Sequence, residues 1–413
     1  MYYRLQDHCA LVKGYSRGAI YDFTSGKVYS INKGAVELLD ACQEAPVDDL
    51  LDTSLSENKR FLSFFDSLTS KGLGGYFTDP PNRIKPAVPA AAPNKLEFLW
   101  LELTSSCNNK CLHCYSSSGP TIKNDLVPHE RWLSLIAEAR QAGADAIQFI
   151  GGEPLMYPAW KELVTKAYQE KYDVIEIFSN ATLINDSCIE FFKKHNVSIA
   201  TTIYASKPEV HDMVTQHAGS FTKTLTAIRK IIAAGIPLRL ASIIMKANEH
   251  EAENIMHLYE ELGLEASPPD VVRPTGRGDD KDLLPTTFKK NPIKPPFYTD
   301  LDTFLAAQIR HACLHGKIAV TSSGDVIPCI FARQQVCGNI LHSPLAEILN
   351  RQSLAACWCT TKDHIEKCKD CEYRYACPDC RPLAQGMDPE KRWLAPAQEC
   401  LYNPYEGKWE EKA

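Results

Sequence analysis

Three cysteines, Cys107, Cys111 and Cys114, stand in a Cys-x3-Cys-x2-Cys pattern just beyond the apolar run Leu96 to Leu103. The run reads as a strand, so the three thiols belong to a loop at its end. Closely spaced thiolates hold iron–sulfur clusters or zinc. A four-iron cluster takes four protein thiolates, and no fourth cysteine stands near this triplet. One iron would then stay open for a small chelating ligand, which turns an electron carrier into a reagent. On spacing alone, zinc remains the alternative.

Two further sets of residues bear chemistry. Asp145-Ala146-Ile147-Gln148-Phe149-Ile150 reads as a strand and runs into Gly151-Gly152-Glu153-Pro154. Glycines let a backbone approach a ligand closely, and a carboxylate suits an ammonium group. Taken alone, the tetrapeptide is equally an ordinary tight turn. The C-terminal region carries Cys313, Gly324 and Cys329, then Cys368-x2-Cys371-x5-Cys377-x2-Cys380, then Cys400. By itself, the set Cys368, Cys371, Cys377 and Cys380 also suits a zinc ribbon. Cys9, Cys42 and Cys188 are isolated and read as small buried apolar residues. Cys337, Cys357 and Cys359 lie inside the cysteine-rich segment as ligands, labile thiols or filler.

The elements that must position these groups fall into distinct regions. Residues 1–73 show short strands at Cys9 to Val12, Ala19 to Phe23 and Lys27 to Ile31, then helical periodicity in Gly34 to Cys42 and Asn58 to Leu68. Residues 74–94, with Pro80, Pro81, Pro86, Pro89 and Pro93, predict an extended linker. Residues 95–300 alternate strands (Leu96–Leu103, Ala146–Ile150, Val174–Ser179, Val197–Tyr204, Pro237–Met245, Pro269–Val272) with amphipathic helices, a pattern that predicts a parallel α/β architecture. Residues 301–413 form the cysteine-rich extension. The chain has 413 residues and a net charge of −6, which implies neither nucleic-acid binding nor adsorption to a membrane. Residues Met1 to Lys13 lack the basic start and apolar core of a signal peptide, and the longest apolar stretch, Ile228 to Met245, is broken by Arg229, Lys230 and Arg239. A cytoplasmic enzyme is expected, with its 16 cysteines binding metal rather than forming disulfides.

The triplet followed by Gly151-Gly152-Glu153-Pro154 resembles the radical S-adenosylmethionine (SAM) superfamily, and the C-terminal pattern resembles its SPASM extension. The resemblance implies a partial (β/α)6 barrel, with Cys107, Cys111 and Cys114 holding the [4Fe–4S] cluster that cleaves SAM. It also implies SAM contacts from Gly151, Gly152, Glu153, Pro154, Ser179, Asn180 and Thr202, and from His113 against the adenine. Two auxiliary [4Fe–4S] clusters are implied, three clusters in all. Cys368, Cys371, Cys377 and Cys400 would ligate the outer one. Cys313, Cys329 and Cys380 would ligate the inner one, its fourth position left open or taken by Cys337. Residues 1–73 resemble the winged-helix-like module that binds leader peptides in ribosomal-peptide maturation; an extension that only packs on the barrel is the alternative.

In this family one electron cleaves SAM to methionine and a 5′-deoxyadenosyl radical, which removes an unactivated hydrogen from a substrate. The order of modules resembles thioether-forming maturases of the sactipeptide and ranthipeptide kind. Val197 to Phe221 (with Tyr204, His211, Asp212, Gly219 and Ser220) and Val272 to Gly278 resemble them too. The expected partners are a ribosomally made precursor peptide and a reductant such as flavodoxin or ferredoxin. Carbon–carbon cross-linking, epimerisation, decarboxylation and formylglycine formation in a sulfatase share the same core. An electron-transfer or metal-binding module is the non-enzymatic reading, and a SAM site argues against it.

Overall fold

Alternating apolar residues near the N-terminus are satisfied by an antiparallel meander of β2 (Cys9–Lys13), β3 (Arg17–Asp22) and β4 (Val28–Asn32), preceded by β1 (Tyr2–Leu5). This is a computed structural model, and it describes residues 1–50, 55–79, 95–265 and 267–410. The turn between β3 and β4 is set by Asp22, whose carboxylate accepts from the Thr24 and Ser25 amides and the Ser25 hydroxyl. Asn32 caps α1 (Lys33–Ala41) by accepting from the Ala35 amide at 2.8 Å. The short α2 (Val47–Leu50) and the longer α3 (Leu55–Ser70) follow. Phe65 and Leu68 of α3 are buried against Tyr3, whose hydroxyl donates to the Phe65 carbonyl.

The chain does not enter a linker at residue 74. Gly74–Phe77 is a strand, β5, paired antiparallel with β1. Gly74 permits this, because a Cβ there would sit 2.4 Å from the Tyr3 hydroxyl. Residues 80–94 of the expected linker lie outside the described residues. Cys9 and Cys42 pack into the core of this region, as expected for small apolar side chains.

Two compact units make up the chain: Met1–Ala92 with Pro292–Cys313 and Cys359–Ala413, and Pro93–Asn291 with Leu314–Trp358. The N-terminal module thus shares its unit with the cysteines assigned to the outer cluster, and the cysteine-rich region 301–413 is divided between the units. Within the first unit the Tyr21 hydroxyl donates to the Glu372 carbonyl at 2.9 Å, and Arg374 donates to the Lys13 carbonyl at 2.8 Å. Phe304 of α10 (Leu301–Ile309) packs against both Tyr21 and Phe23. These contacts bear on truncation. Deleting residues 1–73 strips the packing from the Cys371–Glu372 loop, so the truncated enzyme is expected to lose about four irons, those of one cluster. It should still cleave SAM, since Cys107, Cys111 and Cys114 lie in the other unit. Iron content and 5′-deoxyadenosine release measure both.

The second unit is built on an eight-stranded sheet. Its parallel part runs β6 (Phe98–Glu102), β7 (Ala146–Ile150), β8 (Val174–Phe178), β9 (Val197–Thr202) and β10 (Leu238–Ala241) in spatial order. The fifth expected strand breaks at Ser242, and the remnant β11 (Ile243–Ile244) pairs with β12 (Asp270–Val271), all that forms of the sixth. Tyr259 accompanies the break, donating to the Leu240 carbonyl and touching the Ser242 hydroxyl. A strand from the cysteine-rich region, β13 (Lys317–Val320), joins β6 in parallel on its free side and continues into β14 (Asp325–Ile327) and β15 (Gly338–Asn339). Helices cover the sheet with the faces their periodicity predicts: α4 (His129–Gln141) buries Trp132, Leu135, Ile136 and Ala139. The others here are α5 (Trp160–Gln169), α6 (Asp186–Lys194), α7 (Pro208–Thr215), α8 (Ser220–Ala233), α9 (Ala252–Glu261), α11 (Leu345–Leu349) and α12 (Gln352–Trp358). Cys188 is buried in α6. Among the described residues no helix is long and apolar enough to cross a membrane.

Candidate active site

The cysteine triplet follows β6, at the carboxyl ends of the parallel strands where ligands bind in such folds. Three segments clamp its loop. The Lys110 and Leu112 amides donate to the Thr215 and Val214 carbonyls at the end of α7. Asn109 meets His217 at 2.7 Å, and Asp212 holds the α7–α8 turn by accepting from Gly219, Ser220 and Phe221. From the far side, Arg277 donates to the Cys111 and Ser118 carbonyls at 2.9 and 2.8 Å, and its own amide donates to Cys114. The flanking glycines make that approach possible: a Cβ on Gly276 would sit 2.3 Å from the Tyr115 carbonyl oxygen. Arg277 was not among the site residues expected from sequence. The only signal for it is Thr275-Gly276-Arg277-Gly278, an arginine between two glycines.

The Gly-Gly-Glu-Pro element lies against the same loop. Its glycines let the backbone lie close against that loop. A Cβ on Gly152 would fall 2.1 Å from the Ser106 carbonyl oxygen, and one on Gly151 would fall 2.6 Å from that of Thr104. The Gly152 and Glu153 amides donate to these same carbonyls. The close approach is therefore to the cysteine loop, and it presents Glu153 to the interior. Pro154 opens a single 3-10 turn, Pro154–Met156, which Glu153 caps by accepting from the Leu155 amide. The Glu153 carboxylate is fully buried and also accepts from the Ser179 hydroxyl and the Asn180 amide, both at 2.8 Å. The Asn180 side chain in turn reaches the Asn108 side chain at 2.8 Å and the Cys107 sulfur at 3.7 Å. Burial lifts the Glu153 carboxyl to about 7 against the pull of its three donors.

On the other flank, His113 and Tyr204 lie edge to face, 5.0 Å between centroids, and Tyr204 continues to His211 at 5.3 Å. Thr202 stands at the end of β9. Burial pushes His113 down to about 4, so its ring is neutral, and its Nδ1 is buried without a hydrogen-bond partner. Burial likewise lifts the Cys107 thiol to about 12 and raises that of Cys111. The thiols are thus protonated before metal arrives, and cluster loading must expel protons.

In the first unit, Cys368, Cys371, Cys377 and Cys400 form one electrostatic neighbourhood: Cys377 feels Cys368 and Cys400, and Cys371 feels Cys377 and Cys368. Asp379 organises the cysteines beside it. It binds Arg381 through two contacts and His311 at 3.2 Å, while the His311 Nδ1 accepts from the Cys313 amide at 3.0 Å. Cys380 caps α13 (Arg381–Met387). Cys329 and Cys337 belong to the second unit. Cys337 is buried, and its thiol donates to the Gln335 carbonyl at 3.4 Å. Cys359 is exposed in the first unit.

Sulfurs around one zinc ion stand roughly 3.8 Å apart, given Zn–S bonds of about 2.3 Å in a tetrahedron. Among the described residues only His8, Cys9 and Asp22 bring three ligand atoms within 4.8 Å of one another. The unpartnered His113 nitrogen and the buried Glu153 fit a ligand carrying both an aromatic base and an ammonium group.

A strand-end cysteine loop on a parallel sheet, with a buried carboxylate beside it and cysteine-rich C-terminal segments, defines a SAM-dependent iron–sulfur enzyme. Residues 101–259 match the radical SAM superfamily, and residues 313–372 match the SPASM iron–sulfur cluster-binding domain. The chain is a radical SAM enzyme with a SPASM domain, and its cofactors are SAM and [4Fe–4S] clusters. An AdoMet-dependent heme synthase from Methanosarcina barkeri is 25% identical over 76% of this chain and 99% of that protein. The antilisterial bacteriocin subtilosin biosynthesis protein AlbA of Bacillus subtilis is 26% identical over 70% of this chain and 68% of its own length. Among solved structures, Streptococcus suis SuiB bound to S-adenosylmethionine covers 96% of this chain and 99% of its own, with a TM-score of 0.55 at 12% identity. At that identity the likeness is one of fold.

Proposed function

We propose that the chain matures a ribosomally made peptide by joining a cysteine sulfur to a carbon of another residue; the carbon gives up a hydrogen atom to the radical, the thiol gives up its proton, and the surplus electron would pass to an auxiliary cluster. When bound, the cofactor pair supplies a 5′-deoxyadenosyl radical through one-electron cleavage of SAM. The chain's own residues hold that chemistry in place. Cys107, Cys111 and Cys114 bind the cluster, and Glu153, with Ser179 and Asn180 behind it, takes the SAM ammonium. His113 faces the adenine, with Gly151, Gly152, Pro154 and Thr202 shaping the same wall. The N-terminal module binds the leader of the precursor. AlbA is named for the biosynthesis of a bacteriocin, and a solved complex of SuiB is described as bound to precursor peptide SuiA; both support a peptide substrate.

What favours a thioether is the count of thiolates expected around the inner cluster. The resemblance implies three inner thiolates, Cys313, Cys329 and Cys380, where a four-iron cluster takes four. The position left over suits a soft ligand, and a substrate thiolate is softer than a hydroxyl or carboxylate. Precursor peptide should accordingly perturb the auxiliary-cluster spectrum only when its acceptor cysteine is present. Cys380→Ala should end cross-linking while SAM cleavage continues, and Cys337→Ala should be nearly silent. A Cys337→Ala enzyme with an altered resting cluster would make Cys337 the fourth ligand and remove the basis for thiolate capture.

The match to heme synthases, which spans nearly all of the Methanosarcina protein, favours a second reading with a tetrapyrrole substrate. Incubation of the reconstituted enzyme with the precursor peptide and, separately, with a porphyrin precursor of haem separates the two by product mass.

A further inference from the structure

Lys362 opens the 3-10 turn Lys362–His364 in the first unit and is buried to 7% exposure. Lysines are almost never so buried unless paired, because the ammonium loses its hydration. Its Nζ lies 3.7 Å from the Cys377 sulfur, 3.1 Å from the Pro378 carbonyl oxygen and 4.0 Å from an Asp379 oxygen. Asp379 divides its charge, since that carboxylate also serves Arg381 through two contacts and His311 through a third. The ammonium also acts on Cys368. Its surroundings are thus two cysteines of one set, a carbonyl and a carboxylate that it shares with Arg381 and His311.

We propose that Lys362 sets the reduction potential of the outer auxiliary cluster, by placing a buried positive charge and an N–H donor on its Cys377 ligand. The proposal rests on the reading that Cys368, Cys371, Cys377 and Cys400 hold a four-iron cluster. Four thiolates give such a cluster a net negative charge, and an added electron deepens it. A fixed ammonium in a dry site stabilises the reduced form more than the oxidised one, so it raises the potential; hydrogen bonds to the sulfurs act in the same sense. Lys362 is a positioning residue, since it touches a ligand and not the substrate. It makes the outer cluster a better electron acceptor than its four thiolates alone would.

The test is a redox titration followed by electron paramagnetic resonance, with dithionite as reductant. It uses the full-length reconstituted enzyme carrying Cys107→Ala, Cys111→Ala and Cys114→Ala, so that only auxiliary clusters report. Lys362→Met and Lys362→Gln should keep the wild-type iron content and leave the outer cluster at least tenfold less reduced at a fixed potential, a downward shift of about 59 mV for one electron. Lys362→Arg, which keeps the charge, should return most of that shift. An unmoved midpoint in both neutral variants overturns the proposal. So does loss of the cluster from all three variants, which would make the lysine a folding residue. Auxiliary iron left undiminished by a further Cys377→Ala substitution would overturn the ligand assignment itself, an outcome separable from an unmoved midpoint.

Discussion

Replacing Cys107, Cys111 and Cys114 together by alanine is expected to abolish SAM cleavage and remove one third of the iron, leaving about eight of about twelve irons, by four per cluster. The loop carrying the triplet is held by backbone contacts from Thr215, Val214, Arg277, Gly152 and Glu153, none of which needs the thiols. The barrel should therefore stay folded and the auxiliary clusters should stay loaded. Iron analysis, 5′-deoxyadenosine release and far-ultraviolet circular dichroism measure the three parts of this outcome. Stoichiometric zinc in the triple variant would show that the C-terminal cysteines form a zinc ribbon.

Glu153→Ala should weaken SAM binding by about 1.5–3 kcal/mol, the range for a hydrogen bond to a charged group. That is roughly tenfold to more than a hundredfold in Kd. The same carboxylate makes binding depend on pH, with a sign the site dictates. Burial raises the free carboxyl to about 7, so below that pH the SAM-free enzyme holds a proton on Glu153. An ammonium favours the ionised form, and binding at acid pH must first expel that proton. Affinity should be steady above pH 7 and fall by about tenfold per pH unit below it, for one proton. Glu153→Gln should be weak and flat across the same range, which separates this carboxylate from other titrating groups. A flat wild-type profile would mean that Glu153 acts only as the bracket joining Leu155, Ser179 and Asn180.

The motifs proposed to carry the chemistry were legible in the sequence because their spacing is local. Cys107, Cys111 and Cys114 share one loop, and Gly151 to Pro154 share another, each directly behind an apolar run that had to be a strand. The helix faces were legible for the same reason: Trp132, Leu135, Ile136 and Ala139 recur at the helical period and are buried as that period requires. Element ends were less so. Gly74–Phe77 contains two glycines and borders a proline-rich stretch, yet it is a strand, because β1 offers an edge to pair with and Tyr3 needs the space that Gly74 leaves. The sixth barrel strand shortened to Asp270–Val271 because the preceding strand breaks at Ser242 beside Tyr259.

What the sequence determined by itself is therefore a set of donors: sulfurs at cluster spacing, a carboxylate after paired glycines, and strands to carry them. Tertiary structure alone decided what surrounds those donors. Arg277 reaches Cys111 across 166 residues of chain. A lysine that composition would place in water is buried against Cys377. A strand from the cysteine-rich region completes the edge of the barrel sheet beside β6. The physical reason is that ligand spacing is a property of a few consecutive residues. Burial, charge pairing and close backbone approach depend instead on segments far apart in the chain, and only folding brings those together.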